Sequence, residues 1–130
     1  MLLIPITMNR SAGARGKNIL LVEDDPSARQ SIKLLLCIDR HTVTEADNGH
    51  EALQLFTGST YDLVIMDYFM PGVRGDELAH LIRQLVPAQP IIMVTAYQEK
   101  LVDADIPADA VLGKPFSIDD LRRAVAAATG

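Results

Sequence analysis

The fold is decided by one stretch of sequence, Tyr61-Asp62-Leu63-Val64-Ile65-Met66-Asp67-Tyr68-Phe69-Met70-Pro71-Gly72. Four consecutive apolar residues, 63–66, run directly into the acid Asp67. An apolar run this short, with β-branched members, predicts a strand that is buried on both faces. The Pro71-Gly72 pair then breaks the chain. Asp67 should therefore lie at the carboxyl end of a central strand, where open α/β sheets place their chemistry.

Four further strands are expected on either side of this one. Residues 19–22 form a short apolar run, residues 41–45 a more polar strand nearer an edge, residues 90–95 a buried strand, and residues 110–113 a last one. Each of the three apolar runs outside the central stretch leads into polar residues. Those residues are Glu23, Asp24, Thr95 and Lys114.

Helical patterns separate the strands. Pro26 suits the first turn of a helix, with Asp25 as its N-cap, and the apolar stripe of that helix is expected to include Leu34 and Ile38. Cys37 lies in the same apolar run and is expected to be a buried, unreactive small residue. Asn48-Gly49 predicts a turn.

Three helices and one much shorter helical segment are expected after this turn. A short one is expected at residues 51–56, and another at residues 76–85 with Leu81 and Leu85 among its inward side chains. Residues 97–102 leave room for a very short helix at best. Ser117 should cap the last helix, with Asp120 as an imperfect capping-box partner.

Five strands alternating with helices predict an α/β fold, a parallel sheet with helices on both faces. All the strand carboxyl ends of a parallel sheet lie on one edge. That edge should therefore collect Glu23, Asp24, Asp67, Thr95 and Lys114. We expect the chemistry of the protein to be carried by this constellation.

Oxygen ligands without a histidine or cysteine cluster suit a hard cation such as Mg²⁺. Three neighbouring carboxylates repel each other, so they either raise a pKa or hold a cation. Asp67 beside such a cation can act as a nucleophile toward an activated phosphoryl group. Lys114 supplies a second positive charge, and the Thr95 hydroxyl can donate to a phosphoryl oxygen.

With these residues in place, the chain resembles the receiver domain of bacterial two-component response regulators over about residues 17–129. The resemblance rests on four motifs, Ile19-Leu20-Leu21-Val22-Glu23-Asp24-Asp25-Pro26, Asp67-Tyr68-Phe69-Met70-Pro71-Gly72, Val94-Thr95-Ala96 and Lys114-Pro115-Phe116. It implies a doubly wound, flavodoxin- or CheY-like sheet of five parallel strands in the order 2-1-3-4-5.

The same resemblance implies roles for individual residues. Asp67 would be the phosphoacceptor, and Glu23 and Asp24 the acidic pair, with Asp24 the more direct Mg²⁺ ligand. The backbone carbonyl of Phe69 would complete the metal site.

Thr95 and Lys114 would contact the phosphoryl oxygens, and the Lys114-Pro115 bond would be cis. The phosphodonor would be a phosphohistidine on a sensor histidine kinase or a histidine phosphotransfer protein. Phosphorylation would switch contacts with a downstream protein that the sequence does not name.

Three features depart from the family pattern. The position three residues before Lys114, aromatic in the family, is Val111, and valine has no ring that can move between exposed and buried positions. The segment between Thr95 and Lys114 is short, which reshapes the usual dimerisation face and leaves a monomer or weak dimer as the expectation. Phe69 and Tyr97 flank the site, and their rings could shield an acyl phosphate from water.

Composition limits the remaining possibilities. The chain has 130 residues, 48% hydrophobic, and a net charge of −5, which suits one domain and argues against direct nucleic-acid binding through a basic face. No apolar run is long enough for a membrane span, and residues 1–8 lack the features of a secretory signal. A cytoplasmic location is expected.

Residues 1–16 are expected to form a flexible tail, and residues 17–130 the receiver domain. The glycines before Lys17 have the wrong spacing for a nucleotide-binding P-loop. The first residue, Met1, favours a stand-alone receiver over a fragment of a hybrid kinase or larger regulator.

Two other functions compete with the phosphoacceptor reading. One is a pseudo-receiver, the same fold acting unphosphorylated as a constitutive interaction module; Val111 and the short fourth helix favour it mildly. The other is a phosphohydrolase with an aspartate nucleophile, which would want a second acid near that nucleophile. Tyr68 and Phe69 follow Asp67 instead, so we expect no turnover enzyme, only a protein that promotes its own phosphorylation and dephosphorylation.

Overall fold

The structure is a computed structural model that describes residues 16–101 and 106–130. The expected N-terminal tail lies outside the described residues, apart from Gly16. Within the described ranges, no helix is both long and apolar enough to cross a membrane.

Five parallel strands form one sheet in the order β2-β1-β3-β4-β5, which confirms the expected doubly wound topology. The strands are β1 (Asn18–Val22), β2 (Thr42–Ala46), β3 (Leu63–Asp67), β4 (Ile91–Thr95) and β5 (Ala110–Gly113). In the register of the sheet, Asp67 lies opposite Val94 and Thr95 lies opposite Gly113. The polar ends of β3, β4 and β5 are therefore level with one another.

The described residues contain four α-helices, α1 (Pro26–Ile38), α2 (Gly49–Gly58), α3 (Gly75–Leu85) and α4 (Ile118–Thr129). The first three connect strands, and α4 follows β5. Between β4 and β5 the described residues contain one 3₁₀ helix, Gln98–Leu101. The expectation of a very short helix after β4 is met, because this turn has only four residues.

Both faces of the sheet are covered, which explains the continuous apolar runs. All five residues of β3 and of β4 are buried. Alternate strand residues face α2 and α3 on one side, and α1 and α4 on the other. A strand in this position has no solvated face, so its sequence shows no alternation of polar and apolar residues.

The helix starts follow the local sequence. The Asp25 carboxylate accepts the Ala28 N–H at 3.0 Å and caps α1, and Ser117 and Asp120 form a reciprocal capping box at the start of α4. Both N-caps confirm the sequence expectations. Asn48, however, is an N-cap that accepts the Glu51 N–H at 2.8 Å. The helix α2 therefore begins at Gly49, two residues before the predicted start, and Gly49 belongs to this helix and not to a turn before it.

Several apolar side chains are more exposed than expected. On α1, Leu34 is 57% exposed, Ile38 is also exposed, and Cys37 lies on the surface. On α3, Leu81 and Leu85 are exposed while Leu78 and Ile82 are buried. A helix that packs on one sheet buries only a narrow stripe, so the apolar residues beside that stripe remain in solvent.

A polar network closes the amino edge of the sheet. The Arg83 guanidinium donates to the Gln89 carbonyl at 3.2 Å and to the Asp109 carboxylate at 3.0 Å. Arg122 forms two hydrogen bonds with Asp39, at 2.8 and 3.0 Å. These arginines join loops and helix ends across the fold.

Candidate functional site

Glu23 is held inside the carboxyl edge of the sheet. It directly follows β1, its N–H donates to the Ala46 carbonyl at 3.0 Å, and it is 1% exposed. Its Oε2 accepts the backbone N–H of Asp25 at 3.2 Å. Its Oε1 accepts a hydrogen bond from Lys114 Nζ at 2.7 Å. Both carboxylate oxygens of Glu23 therefore already have partners.

Asp67 ends β3 at the centre of this edge and is 9% exposed. Its N-terminal neighbours in the strand are fully buried, which fixes the backbone that carries it. Lys114 Nζ lies 3.5 Å from its Oδ2, a longer approach than to Glu23. Lys114 therefore bridges two carboxylates, and its ammonium is closer to Glu23 than to Asp67.

The three acids converge. Glu23, Asp24 and Asp67 each present an oxygen within 4.8 Å of the others. Burial, and then the neighbouring Glu23, raise the pKa of Asp24 above its ordinary value. Glu23 acts first through a side-chain hydrogen bond and then through its negative charge, and a bound cation would offset that charge.

Lys114 is the positive group of the cluster. Burial alone would lower the pKa of its ammonium, but the hydrogen bond to Glu23 and the charge of Asp67 outweigh burial and raise the pKa. Its backbone N–H donates to the Thr95 carbonyl at 2.8 Å, which ties the end of β5 to the end of β4. The Lys114-Pro115 peptide bond is cis, as expected.

Thr95 ends β4 and is fully buried. Its Oγ1 accepts the backbone N–H of Tyr97 at 3.0 Å. A hydroxyl that accepts in this way keeps its own proton for donation. Thr95 is thus oriented by the chain that follows it.

Two aromatic rings stand beside the cluster. Phe69 and Tyr97 are both about half exposed, and their rings meet edge to face with centroids 5.4 Å apart. Phe69 also contacts Tyr68, whose ring packs under the Arg74 guanidinium at 5.8 Å. The aromatic pair therefore spans from the end of β3 to the end of β4.

The donor set fits Mg²⁺. All three converging side chains offer carboxylate oxygens, the ligands that hard cations prefer. Within residues 16–101 and 106–130, this is the one group of three or more acids, histidines or cysteines close enough to hold a metal ion. The three negative charges exceed the single charge of Lys114, so the cluster has capacity for a divalent cation.

A sequence model of the response regulator receiver domain matches residues 19–126. The chain belongs to the response regulator receiver family. Among curated relatives, this receiver domain is 33% identical over 109 residues to the transcriptional regulatory protein TcrA of Mycobacterium tuberculosis, covering 82% of the chain and 43% of the relative. It is 36% identical over 107 residues to the response regulator ArlR of Staphylococcus epidermidis, covering 80% and 48%. The chain spans less than half the length of these relatives.

Solved structures agree with this membership. The response regulator TrrA of Thermotoga maritima, in complex with Mg²⁺-BeF, is 39% identical, with a TM-score of 0.79, 84% of this receiver domain covered and 96% of that chain. TrrA also appears in a complex with the histidine kinase ThkA, where the match is 38% identical with a TM-score of 0.76, covering 84% and 95%. The receiver fold and family are therefore established for this chain.

The sequence predicted that the five polar site residues meet at one edge of the sheet, but it did not predict the interactions that hold them in place. It did not anticipate that Glu23 would take Lys114 as its nearest partner, or that the backbone of Tyr97 would orient Thr95. The acidic residues after β1 gave a partial indication of the pairing with Lys114, because two acids beside a buried strand end need a positive partner.

Proposed function

We propose that this receiver domain accepts a phosphoryl group on Asp67 from a phosphohistidine, with Mg²⁺, and thereby switches its contacts with other proteins. The observation that carries the proposal is the convergence of Glu23, Asp24 and Asp67, with Lys114 Nζ between two of them. The donor would be a histidine kinase or a histidine phosphotransfer protein. Support comes from TrrA, which has been solved with a histidine kinase.

The chemistry assigned to the chain is simple in outline. An Asp67 carboxylate oxygen forms a bond to phosphorus while the bond from phosphorus to the donor imidazole nitrogen breaks, and the electron pair leaves with that nitrogen. Lys114 balances negative charge on the phosphoryl oxygens, and the Thr95 hydroxyl donates to one of them. Glu23 holds Lys114 in place, and Asp24 with the Phe69 carbonyl would complete the Mg²⁺ ligands. Bound Mg²⁺ supplies charge neutralisation.

In this proposal the protein is a signalling module with no turnover of a separate substrate. Residues 17–130 form the receiver domain and residues 1–16 a tail. It works in the cytoplasm as a monomer or weak dimer, with a protein as its downstream partner and without direct nucleic-acid or membrane contact. The net charge of −5 supports the absence of a nucleic-acid surface.

The test is to incubate the protein with a small acyl phosphate and Mg²⁺ and to weigh it intact by mass spectrometry. We expect the gain of one phosphoryl group, and no gain for Asp67→Asn or when EDTA replaces Mg²⁺. Asp62→Asn, on the opposite edge of the sheet, is the matched control and should still be phosphorylated.

The alternative outcome has a defined meaning. If the wild-type protein gains nothing while rapid hydrolysis is excluded, the pseudo-receiver function is favoured. One observation speaks for that alternative, since Val111 stands half-buried against the core where the family has a ring. The search for a partner would then turn from a kinase to a constitutive binder.

A further inference from the structure

An apolar groove lies at the amino edge of the sheet, on the opposite edge from Asp67. It has a volume of about 380 Å³, within the range of about 300 to 1,000 Å³ that is common for binding clefts. Phe56 and Tyr61 stack at its floor with centroids 6.2 Å apart and planes at 17°. Val86 and Pro90 line its wall.

The groove continues along the end of α3. A second hollow of about 310 Å³ shares Phe56, Ser59 and Val86 with the first and adds Leu85. Leu85 is 55% exposed and Val86 is 42% exposed. Apolar side chains of this size, adjacent in space and open to water, mark a surface that binds another apolar segment.

The chain enters the sheet at the rim of this groove. The Asn18 side chain donates to the Thr60 carbonyl at 2.7 Å, and its backbone N–H donates to the Asp62 carboxylate at 2.7 Å. Thr60 and Asp62 both line the groove. Asn18 is therefore fixed next to the groove.

The preceding sequence has two parts. Residues 1–8, Met-Leu-Leu-Ile-Pro-Ile-Thr-Met, contain no charged side chain, and residues 9–17 contain glycine, alanine and serine with three basic residues and no acid. An apolar segment joined by a small, polar linker is unlike a solvated tail, whose composition is uniformly polar. Pro5 disfavours a helix at the residue before it, so the segment suits extended binding.

We propose that residues 2–8 of this chain occupy the groove between the ends of α2 and α3. As a random coil, the nine-residue linker would span about 16 Å, which suits a groove whose rim is bonded to Asn18. Tethering at this length gives an effective concentration in the millimolar range, so a weak apolar contact is enough for occupancy.

Charge favours the same placement. Among the described residues that line the two hollows, Asp62 is the only charged one, so the lining is almost uncharged, like the segment itself. The last turn of α2 contains no basic residue, so its carbonyl end has a negative partial charge that attracts Arg10 and Arg15 of the linker.

The experiment places a nitroxide spin label on the segment of the full chain. In a Cys37→Ser, Thr7→Cys protein labelled at residue 7, the amide NMR signals of Ser59, Leu85 and Val86 should lose most of their intensity. Reduction of the nitroxide should restore them. Cys37 is on the surface, so its replacement removes the competing label site without opening the core.

Two matched variants separate docking from general contact. Leu85→Glu should abolish the intensity loss in the groove, while Leu34→Glu, an equally exposed leucine on α1, should leave it unchanged. Signal loss centred on Leu34 and Ile38, or no localised loss, would overturn the proposal. Loss in a mixture of spin-labelled and isotope-labelled chains would equally overturn it, because the segment would then bind a second copy.

Discussion

At the scale of single residues, the site holds more negative charge than positive charge. Three carboxylates share one ammonium, and that ammonium is 2.7 Å from Glu23 and 3.5 Å from Asp67. Glu23 is buried and accepts hydrogen bonds on both oxygens. A buried acid that loses its cation is costly, so Lys114 stabilises the fold as well as the site.

Replacing Lys114 with glutamine should lower the free energy of unfolding by about 1–2 kcal/mol, the range of a charged hydrogen bond discounted for partial exposure. Urea denaturation at neutral pH in EDTA measures the loss. Lys33→Gln, which removes a surface pair with Glu45, is the matched control and should cost much less. Equal losses in the two variants would contradict the structural role of Lys114.

His41 should make stability depend on pH. It is buried, its Nδ1 accepts the Lys17 N–H at 3.0 Å, and burial lowers its pKa against the opposing charge of Asp39. The unfolded chain then takes up a proton more readily, so stability is lost as pH falls below the ordinary histidine value of 6.5 toward the lower folded value.

Asparagine at position 41 retains an acceptor for Lys17 but cannot titrate in this range. We therefore expect the urea midpoint of His41→Asn to fall less between pH 7.5 and pH 5.5 than that of the wild-type protein. His50→Asn, at an exposed position, should leave the slope as it is. A slope that survives in His41→Asn would assign the pH dependence to other groups.

At the scale of elements, the sequence predicted a strand or a helix face well where all of its apolar residues are buried. The strands β3 and β4 were predictable because every residue of each is buried, so the apolar run and the strand coincide. The width of the buried face of α1 was not predictable, because Leu34 and Ile38 are apolar but lie outside the contact with the sheet and are exposed. Sequence periodicity shows which residues are apolar, and the packing partner decides how many of them are covered.

Polar residues were harder to predict than apolar ones. Arg122 forms two hydrogen bonds with the buried Asp39, 83 residues away, and no residue near either of them in the sequence indicates this pairing. The Glu23–Lys114 pair was likewise hidden by its separation along the chain. A long-range ion pair has no local sequence signal, whereas an N-cap such as Asp25 is specified by its immediate neighbours.

Gly75 allows α3 to start directly against β3. A Cβ there would lie 2.6 Å from the Asp67 carbonyl oxygen and 2.7 Å from both the Tyr68 Cα and the Met93 sulfur. Because backbone atoms cannot move aside cheaply, we expect Gly75→Ala to destabilise the fold by about 2–3 kcal/mol in urea denaturation.

Gly58→Ala is the control for this substitution. It ends α2, and an added Cβ would meet nothing within 4 Å, so the variant should be neutral or more stable by about 0.5 kcal/mol. If Gly75→Ala proved as stable as Gly58→Ala, the close approach of α3 to β3 would not constrain the site.

Phe69 and Tyr97 give the loops after β3 and β4 a shared function in the proposed chemistry. The two rings meet edge to face with centroids 5.4 Å apart, and we expect them to limit the approach of water to a phosphoryl group on Asp67. Phe69→Asn with Tyr97→Glu should accelerate loss of the phosphoryl group about tenfold, equivalent to about 1.4 kcal/mol of barrier. Timed intact-mass spectra measure the decay.

The same measurement on Leu81→Asn, an exposed apolar residue on α3, shows the effect of a surface change alone and should give the wild-type rate. Decay that is unchanged in the double variant would mean that the rings do not control water at the site.

At the scale of the whole molecule, the site and the stability of the fold are coupled through the acidic cluster. The pKa of Asp24 is raised, so its ionised form opposes folding, and this loss of stability develops as pH rises through the ordinary value of 3.8 and persists at pH 7. In EDTA, Asp24→Asn should therefore stabilise the protein, by at most about 1 kcal/mol because the partly buried carboxylate is still screened by solvent.

With Mg²⁺ bound, the wild-type protein should be more stable than Asp24→Asn. At a free concentration ten times its dissociation constant, the ion should add about 1.4 kcal/mol to the wild type and markedly less to Asp24→Asn. Parallel urea titrations of the two proteins, with Mg²⁺ and with EDTA, measure the stability difference in EDTA and the gain from Mg²⁺. An equal gain in the two proteins would remove Asp24 from the metal site.

The Lys114–Glu23 pair joins residues 91 positions apart, and this has a consequence for biosynthesis. The first acid of the cluster leaves the ribosome early, but its cation follows only when most of the chain has been made. Until β5 has been translated and has paired with β4, Glu23 has no counter-charge and the edge of the sheet is incomplete. A nascent chain that already displays Asp67 therefore still lacks the ammonium that pairs with Glu23 and approaches Asp67.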